Sequence, residues 1–458
     1  MSLPNTLKYP KFLQRINWIS DPVKYMEKAA EEYPDIFTAR VIGFGDNMVF
    51  INHPQGIKEF YTKGDIFYAD GAVNKITEPL LGSQSLMVLD GSPHKRQRQL
   101  MMPSFHGERM RAYGQLIQDL TKATFEKFSQ GSVFSARNVM QEISLQVILK
   151  AVFGLCDGDR YEKLRILLGL YVDTFNSPLT ASMLFLPVLQ KDLGPWSPWG
   201  KYLRLQQQID DIIYTEIAER RQKHLEVRTD ILSLLISVRD EDGQALTDSE
   251  LRDQLMSLLF AGHETSTTMM AWGLYWLHSL PNVLDRTVTE LDQLGTNSDP
   301  MQVYRLPYLS AVCNETLRIY PTVPFSFARI VQKPVEILGH QLEPGTAVVA
   351  GIYLLHHRQD LYPESKKFNP ERFLSRKFSP YEFIPFGGGA RRCVGEALAN
   401  FQMKLVLSTI LSNYKVELAT QEPEILQRRG LMIAQADRVK MIFRGLRSRE
   451  KVPMLQAI

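Results

Sequence analysis

The sequence predicts a helix-dominated α+β fold with a few small β-sheets. Helical periodicity dominates from about residue 92 to residue 290. Strand patterns, rich in β-branched and aromatic residues, occur at 36–52, near 331–351 and in the last 45 residues. No linker rich in Gly and Ser or in Pro divides the chain, and no internal repeat is present. Residues 1–458 are therefore expected to form one large unit.

Individual elements carry start and stop signals. Asp21-Pro22 provides an N-cap and a first-turn proline for a helix that extends to about Tyr33. Residues 36–52 alternate around Gly43-Phe44-Gly45 and predict a hairpin. Residues 176–198 are apolar but contain four prolines, so they cannot form one continuous helix. We expect this segment to act as a mobile apolar cover.

The longest predicted helix begins near Asp248 and ends before Pro281. It would contain about 33 residues and span roughly 50 Å, at ~1.5 Å per residue. Apolar residues surround its whole circumference, which is typical of a helix at the centre of a protein. The run Gly-His-Glu-Thr at 262–265 interrupts this apolar surface. These four residues are therefore candidates for function.

The composition argues against several classes of protein. With 44% hydrophobic and 22% charged residues, the chain is expected to be a soluble globular protein with room for a buried cofactor. A net charge of +3, from 53 basic and 50 acidic residues, does not predict nucleic-acid binding. The N-terminus lacks a signal-peptide pattern, and no stretch approaches the ~18 apolar residues of a membrane span, so no transmembrane anchor is expected.

Three widely spaced cysteines, Cys156, Cys313 and Cys393, argue against a disulfide framework. They indicate a reducing compartment, and the expected location is cytoplasmic. Near the N-terminus, two interpretations remain open for four apolar residues. They either dock on the core or touch a membrane surface. The four are Leu13, Ile16, Trp18 and Ile19.

The segment FGGGARRCVG at 386–395 precedes a predicted helix from about Val394 to Leu411. Consecutive glycines allow a tight turn with the backbone close to a flat ligand. The N–H groups and dipole of a helix N-terminus stabilise a thiolate. Arg391 supplies a cation for an acidic group of the ligand, and Gly395 allows close approach of the helix. The alternatives are a buried structural thiol or a phosphate loop, whose Lys-Ser/Thr ending is missing.

The pattern Phe-x-x-Gly-x-Arg-x-Cys-x-Gly resembles the haem-binding signature of the cytochromes P450. Four further motifs stand in the family's order, so the resemblance extends over nearly the full chain. The resemblance implies a P450 fold with haem b between the long central helix and the helix after Cys393. Cys393 would be the axial thiolate and metal ligand. Phe386, Arg391 and Gly395 would belong to the same cofactor site.

The run AGHETS at 261–266 resembles the acid–alcohol segment of the family's central helix. The resemblance implies that Glu264 and Thr265 are catalytic and relay protons to bound dioxygen, while Ala261 lines both haem and substrate. A helical hydroxyl also back-bonds to its own turn, and a buried glutamate must be solvated or paired. The alternative is that neither residue has a function. The Thr265 hydroxyl would then bond only within its own turn, and Glu264 would lie on a solvated face.

Two further motifs resemble structural supports of the family. Glu315 and Arg318 lie three residues apart on one helix face and match the Glu-x-x-Arg motif. Arg372, in the run Pro-Glu-Arg-Phe, is the third member of the set. The resemblance implies that the three hold the cysteine loop in place without taking part in catalysis. Taken alone, such a pair would be a common surface ion pair.

Three more residues resemble haem anchors. His94 and Arg98, at i and i+4 of a predicted helix, resemble the pair that binds the haem propionates, with His94 in place of the Trp of many members. Arg329 resembles another propionate ligand. Lys95 and Arg96 between the pair are expected on a solvated face.

An axial thiolate donates electron density to iron and favours O–O cleavage. The resemblance therefore implies a monooxygenase that uses O2 to hydroxylate or epoxidise its substrate. No flavin or nicotinamide fingerprint is visible, so no fused reductase domain is expected. Electrons would come from a separate ferredoxin or flavodoxin with its NAD(P)H-dependent reductase. Basic residues near the cysteine would steer these acidic carriers; examples are Arg96, Arg109, Arg111 and Arg392.

By position in the family, the substrate wall would be mostly apolar and would accept a lipophilic fatty acid, terpenoid or alkane. Its expected members are Phe260, Ala261, Val323, Pro324, Phe325 and Met432. Lys75 would anchor a fatty-acid carboxylate, against the alternative of a solvated loop lysine. The chain is expected to be a monomer, and it resembles soluble bacterial members, cyanobacterial ones among them.

Three other functions stay open. A peroxygenase of the same fold would not need Glu264 and Thr265. A haem-based gas sensor would have little use for an acid–alcohol pair. A hydrolase with Cys393 as nucleophile would need a partner base, for which His356 and His357 are available.

Overall fold

The computed structural model shows a mainly helical protein whose described residues form four small sheets, which confirms the predicted fold class. It describes residues 3–41, 47–68, 75–105, 107, 109–174, 180, 183, 187–222, 228–295, 298–429, 432–436 and 438–448.

The helices of the described residues follow in chain order. They are α1 (Lys11–Ser20), α2 (Pro22–Glu32), α3 (Pro54–Thr62), α4 (Glu78–Leu81), α5 (Gly91–Met101), α6 (Arg109–Phe125), α7 (Ala136–Val147), α8 (Asp159–Asp173), α9 (Pro198–Gln222), α10 (Ile231–Ser237), α11 (Asp248–Ser279), α12 (Pro281–Gln293), α13 (Pro300–Tyr304), α14 (Pro307–Ile319), α15 (Ile352–His356), α16 (Arg372–Ser375) and α17 (Glu396–Asn413).

The strands are short and form sheets of two to five members. They are β1 (Ile36–Ala39), β2 (Met48–Ile51), β3 (Phe67–Tyr68), β4 (Val133–Ser135), β5 (Arg329–Val331), β6 (Val335–Ile337), β7 (His340–Leu342), β8 (Ala347–Ala350), β9 (Tyr414–Leu418), β10 (Leu426–Arg429), β11 (Met432–Gln435) and β12 (Lys440–Leu446).

The largest sheet has the order β1-β2-β8-β5-β3, in which only β2 and β8 pair in parallel. A second sheet has the order β4-β12-β9, and β6-β7 and β10-β11 form separate hairpins. The predicted hairpin at 36–52 is confirmed by the pairing of β1 with β2, while its turn at 42–46 lies outside the described residues. Strands β3 and β4 were not predicted, because two or three residues carry no measurable period.

Helix α11 is the central element, as its all-round apolar sequence predicts. Its start is fixed by a capping box: the Thr247 hydroxyl accepts the Glu250 N–H at 3.2 Å, and the Glu250 carboxylate accepts the Thr247 N–H at 2.7 Å. It ends where Pro281 begins α12. Helices α7, α14 and α17 pack against it, and the largest hydrophobic cluster surrounds it.

The apolar residues of the N-terminal helix α1 differ in their burial. Trp18 is buried against the rings of Tyr25 and Phe325, with centroids 5.8 and 5.6 Å away. Ile16 and Ile19 are more than half exposed. The core therefore takes the tryptophan, and the isoleucines stay at the surface. Among the described residues, none of the helices combines the length and apolar character needed to cross a bilayer.

Much of the predicted apolar cover at 176–198 lies outside the described residues, so its mobility stays a prediction. Its described part contains a short 3-10 turn at Pro187–Leu189 and ends where α9 begins at Pro198. Trp196, in the turn before α9, is 73% exposed. The prolines thus act as boundaries in this part of the segment, as expected.

We expect Thr247→Ala to lower the free energy of unfolding by about 1 kcal/mol, because it removes the oxygen that caps α11. Urea denaturation of the purified protein would measure the change. Thr247→Ser keeps the hydroxyl and should remain close to the wild type. Equal stability of the alanine variant and the wild type would contradict a stabilising cap.

Candidate functional site

The loop before α17 is shaped by its glycines. Gly387 and Gly389 have φ values of +68° and +64°, in the left-handed region that favours glycine. A Cβ at Gly388 would lie 2.6 Å from the ring of Tyr61. The loop closes on itself when the Cys393 N–H donates to the Phe386 carbonyl at 3.0 Å. These contacts fix the position of the cysteine relative to the half-buried Phe386.

Cys393 lies just before α17, which begins at Glu396, slightly later than the predicted Val394. Burial raises the pKa of its thiol to about 11, and this effect exceeds the lowering by the backbone N–H groups of Gly395 and Glu396. The helix terminus thus acts in the direction that the sequence argument predicts, but it is too weak on its own to offset burial. A coordinated metal cation would stabilise the thiolate strongly.

The Cys393 sulfur lies below the outer surface of the protein and is surrounded by protein atoms. Part of the side chain nevertheless borders open space. A Cβ at Gly395 would meet only the Cys393 sulfur, 4.0 Å away, so open space surrounds this part of the loop. An accessible thiol beside open space suits a bound ligand better than a structural core position, where cysteine is normally enclosed.

The middle of α11 is accessible as well. Residues 251–257 and 266–274 are buried, whereas Ala261 is exposed and Thr265 is half-buried. These two residues are four apart and share one helix face. Helices α11 and α17 are in close contact at Gly273, where an added Cβ would lie 2.8 Å from the Leu407 side chain. The accessible turn of α11 and the accessible Cys393 before α17 both precede this contact in the chain. The two accessible stretches are the walls between which the cofactor is predicted to lie.

The predicted anchors form a cluster of positive charge centred on Arg391. Burial, then Arg391 and Arg98, lower the pKa of His94 to about 3, so this imidazole is neutral at physiological pH. Burial also lowers the pKa of Arg98 and of Arg329, and Arg391 lowers both further. Arg391 thus acts on each of the other three, so the four predicted anchors lie close together.

Few carboxylates balance this cluster. Arg391 pairs with Asp90 and donates to the Leu86 carbonyl at 2.9 Å. Arg98 donates to the Arg392 carbonyl at 2.6 Å, and Arg329 donates to the Phe60 and Gly388 carbonyls at 3.0 and 3.3 Å. Among the described residues, neither Arg98 nor Arg329 has a carboxylate partner. A buried and a partly buried guanidinium without counter-charges fit a ligand that has carboxylate groups, as haem has.

The acid and the alcohol of α11 have different surroundings. The Thr265 hydroxyl donates to the Ala261 carbonyl at 2.5 Å, which is the back-bonding expected in a helix. Glu264 is buried, and its Oε1 forms ion pairs with Arg137 and, at 3.3 Å, with Arg429. Glu264 is thus paired, one of the two states that burial requires. Neither arginine was predicted, because nothing local in the sequence relates them to Glu264.

The chain matches the family model described as Cytochrome P450 over residues 8–442. It belongs to the cytochrome P450 family. Proteins of this family are haem-thiolate monooxygenases, and this P450 is accordingly an oxidoreductase.

The chain is similar to curated mycobacterial proteins. Mycobacterium tuberculosis cytochrome P450 135B1 is 34% identical over 92% of this chain and 86% of the relative. Mycobacterium bovis cytochrome P450 138 is 32% identical over 96% of each. These relatives are bacterial, which fits the predicted bacterial origin, and a cyanobacterial origin stays a prediction.

Solved structures agree in fold. Retinoic acid-bound cyanobacterial CYP120A1 gives a TM-score of 0.81 at 23% identity, covering 93% of this chain and 95% of that chain. The cytochrome P450DA heme domain gives 0.83 at 22% identity, covering 98% and 97%.

In this P450 the three predicted support residues form one buried network. Arg318 donates to both Glu315 oxygens at 2.7 and 2.8 Å, and Arg372 Nε donates to Glu315 Oε1 at 3.1 Å. Arg318 also donates to the His356 carbonyl at 2.7 Å, and the His356 ring accepts the Ile384 N–H at 3.0 Å. Ile384 stands just before the cysteine loop, so His356 connects the network to the loop.

The same contacts weaken the hydrolase alternative. Burial holds the pKa of His356 well below its usual range, and its Nε2 accepts a backbone N–H. Burial lowers the pKa of His357 to about 3, and its Nδ1 lies 2.8 Å from the Tyr353 carbonyl. Both rings are held in structural contacts, so neither is placed as a base for Cys393.

The predicted substrate residues come from three parts of the chain. Phe260, Val323 and Met432 are half-buried, whereas Pro324 is buried. Phe325 packs against Trp18 and Phe50, with ring centroids 5.6 Å from each. Much of the Phe325 ring therefore belongs to the core.

Hairpin β10–β11 carries Met432 towards these segments. The Ile433 N–H donates to the Thr322 carbonyl at 3.0 Å. The Gln435 side chain donates to the Thr268 carbonyl on α11 at 2.8 Å. The hairpin thus joins the segment at 322–325 to the central helix.

We expect Glu315→Gln to lower the free energy of unfolding by about 3–5 kcal/mol, because it leaves two buried guanidiniums without their carboxylate. Urea denaturation followed by circular dichroism would measure this loss. Glu417→Gln is the matched control, since Glu417 is exposed and pairs with Arg444 at 2.8 Å. It should change the stability by less than about 1 kcal/mol. Similar effects of the two substitutions would disprove the supporting role.

Proposed function

We propose that this P450 binds haem b through the Cys393 thiolate and oxidises a lipophilic substrate with O2. The observation that carries the proposal is an accessible thiol on the loop before α17, close to buried or partly buried guanidiniums with few carboxylates. The accessible turn of α11 would form the opposite wall. His94 and the guanidiniums would hold the two haem propionates. The guanidiniums belong to Arg98, Arg329 and Arg391.

When bound, haem supplies the redox chemistry that activates O2, and a thiolate ligand favours O–O cleavage. The chain's own residues position the reactants and move protons. Thr265, on the accessible face of α11, would present its hydroxyl to the oxygen site. Glu264 would supply protons to it. A Cβ at Gly262 would meet only Ile148, at 3.7 Å, so the helix leaves room at this turn.

The accessible wall favours an apolar substrate, and we propose hydroxylation or epoxidation of a fatty acid, terpenoid or alkane. Phe260, Val323 and Met432 provide apolar contacts at the wall. Lys75, considered as an anchor for a fatty-acid carboxylate, is exposed at the start of a short 3-10 turn. Its exposure favours the solvated alternative. An apolar wall of this kind discriminates weakly among similar hydrocarbons.

We also propose that residues 1–458 form one haem domain that acts as a monomer in the cytoplasm. None of the three cysteines forms a disulfide, in keeping with a reducing compartment. Electrons would come from a separate ferredoxin or flavodoxin with its NAD(P)H-dependent reductase.

Among the basic residues expected to dock the electron carrier, Arg96 is already bound to Asp240 and Glu250, at 2.6 and 2.7 Å. It is therefore a poor candidate. Arg392 and Arg111 also form ion pairs, with Glu396 at 2.6 Å and Asp299 at 3.2 Å, but their side chains are 52% and 69% exposed, against 30% for Arg96. Long-range attraction of an acidic carrier needs such exposed charges, and Arg392 is next to the cysteine.

Reduced protein treated with carbon monoxide should show the strongly red-shifted Soret band of a thiolate-ligated haem. Cys393→Ser should lose this band, because a hydroxyl does not replace the thiolate. Cys156→Ser is the matched control and should keep it, since Cys156 is an exposed cysteine outside the site. A band that survives in Cys393→Ser would refute the proposed ligand.

Arg392→Glu should slow reduction by a reduced ferredoxin about tenfold at low salt, because it reverses a charge on the proposed docking face. Stopped-flow absorbance would measure the rate, and the haem content should stay unchanged. Arg204→Glu is the control, as Arg204 is an exposed arginine that pairs with Asp192 on another part of the surface. Equal rates for both variants and the wild type would argue against docking at Arg392.

A further inference from the structure

We propose that Arg429 is a positioning residue that couples occupancy of the substrate wall to the ion pairing of Glu264. The proposal rests on the proposed function, in which Glu264 supplies protons and Met432 contacts substrate. It adds a connection between these two roles. Three features of the structure support it.

The first feature is the unequal use of the two Glu264 oxygens. Oε1 forms the ion pairs with both Arg137 and Arg429. Oε2 is buried and has no hydrogen-bond partner among the described residues. The negative charge is thus balanced from one side. When the end of the hairpin moves and admits solvent, Oε2 is the atom that can take a proton from a hydronium ion and pass it on towards Thr265, which leaves water and the ionised carboxylate. No electron passes through Glu264 in this exchange.

The second feature is the difference between the two arginines. Arg137 is 2% exposed in the first turn of α7 and also approaches the Thr268 hydroxyl of α11 at 3.4 Å, so it is fixed in the core. Arg429 is 21% exposed and ends strand β10. Arg137 is therefore the constant partner of Glu264, and Arg429 is the one that can change its position.

The third feature is the register of the hairpin. Arg429 stands directly opposite Met432 in the antiparallel pair β10–β11, and such Cα atoms lie only about 4.5–5.5 Å apart. The other end of β11 is held on α11 by Gln435. A ligand that packs against Met432 therefore acts on the end of the hairpin that holds Arg429, while the opposite end stays attached to the helix.

The remaining titratable group on this part of α11 is His263. Burial, then Arg137, lower the pKa of His263 to about 4, while Glu142 acts in the opposite direction. His263 is neutral at physiological pH and adds no charge. The ionic balance around Glu264 therefore depends on the two arginines, and loss of Arg429 would leave a single pair with Arg137.

The test is a double-mutant cycle on ligand affinity, which needs no knowledge of the substrate. The probe is 4-phenylimidazole, whose nitrogen binds haem iron and whose phenyl ring would reach the apolar wall. Imidazole binds the iron without this ring. The dissociation constants of both are measured by absorbance titration for the wild type, Arg429→Gln, Glu264→Gln and the double variant.

We expect Arg429→Gln and Glu264→Gln each to change the dissociation constant of 4-phenylimidazole about fivefold or more, with no further change in the double variant. The affinity for imidazole should be the same in all four proteins. Arg428→Gln is the matched control, a neighbouring arginine on the same strand, and should behave as the wild type. Arg429→Lys keeps the cation and should restore most of the wild-type affinity.

Smaller changes, or changes that multiply in the double variant, would overturn the proposal. The Soret band of the reduced, carbon monoxide-bound protein reports folding and haem ligation of each variant separately. A wild type without this band would refute the proposed function itself. A normal band with additive affinities would refute only the coupling through Arg429.

Discussion

The buried carboxylate of Glu315 is the contact on which the cysteine loop depends. It balances Arg318 and Arg372 where water is excluded, and Arg318 passes the constraint to the loop through His356. Because burial of three charges costs nearly as much as their attraction returns, such a network contributes little net stability, while loss of one member is expensive. Its main effect is to fix one geometry of the loop around Cys393.

The cations near the proposed cofactor site differ from those of the Glu315 network, because few carboxylates pair with them. Arg329 is buried and Arg98 and Arg391 are partly buried, and burial lowers the pKa values of all three. Repulsion from Arg391 lowers those of Arg98 and Arg329 further, because few carboxylates offset it. Since the Glu315 network holds the loop in place, the cations cannot move apart. An anionic ligand that binds between them would relieve their repulsion. Guanidiniums bound to a buried carboxylate therefore mark support, and guanidiniums without a carboxylate partner or with only one among several cations mark the proposed cofactor site.

This distinction also shows where sequence reasoning reaches its limit. Helix α11, its ends and the cysteine motif could be predicted, because apolar period, proline and glycine act locally. The partners of Glu264 could not, because Arg137 and Arg429 reach it only through tertiary packing. For the same reason His356 looked like an available base in the sequence, whereas the fold makes it the connection between Arg318 and Ile384.

Glu264 and Thr265 are neighbours in sequence but lie in different surroundings on α11. Consecutive residues of an α-helix point about 100° apart, so neighbours in sequence face different surroundings. Thr265 shares the accessible face with Ala261, while Glu264 is buried in its ion pairs with Arg137 and Arg429. A proton that moves from Oε2 of Glu264 to the Thr265 side would pass from one side of α11 to another within a single peptide unit. The central helix would then serve both as the wall of the oxygen site and as the route through that wall.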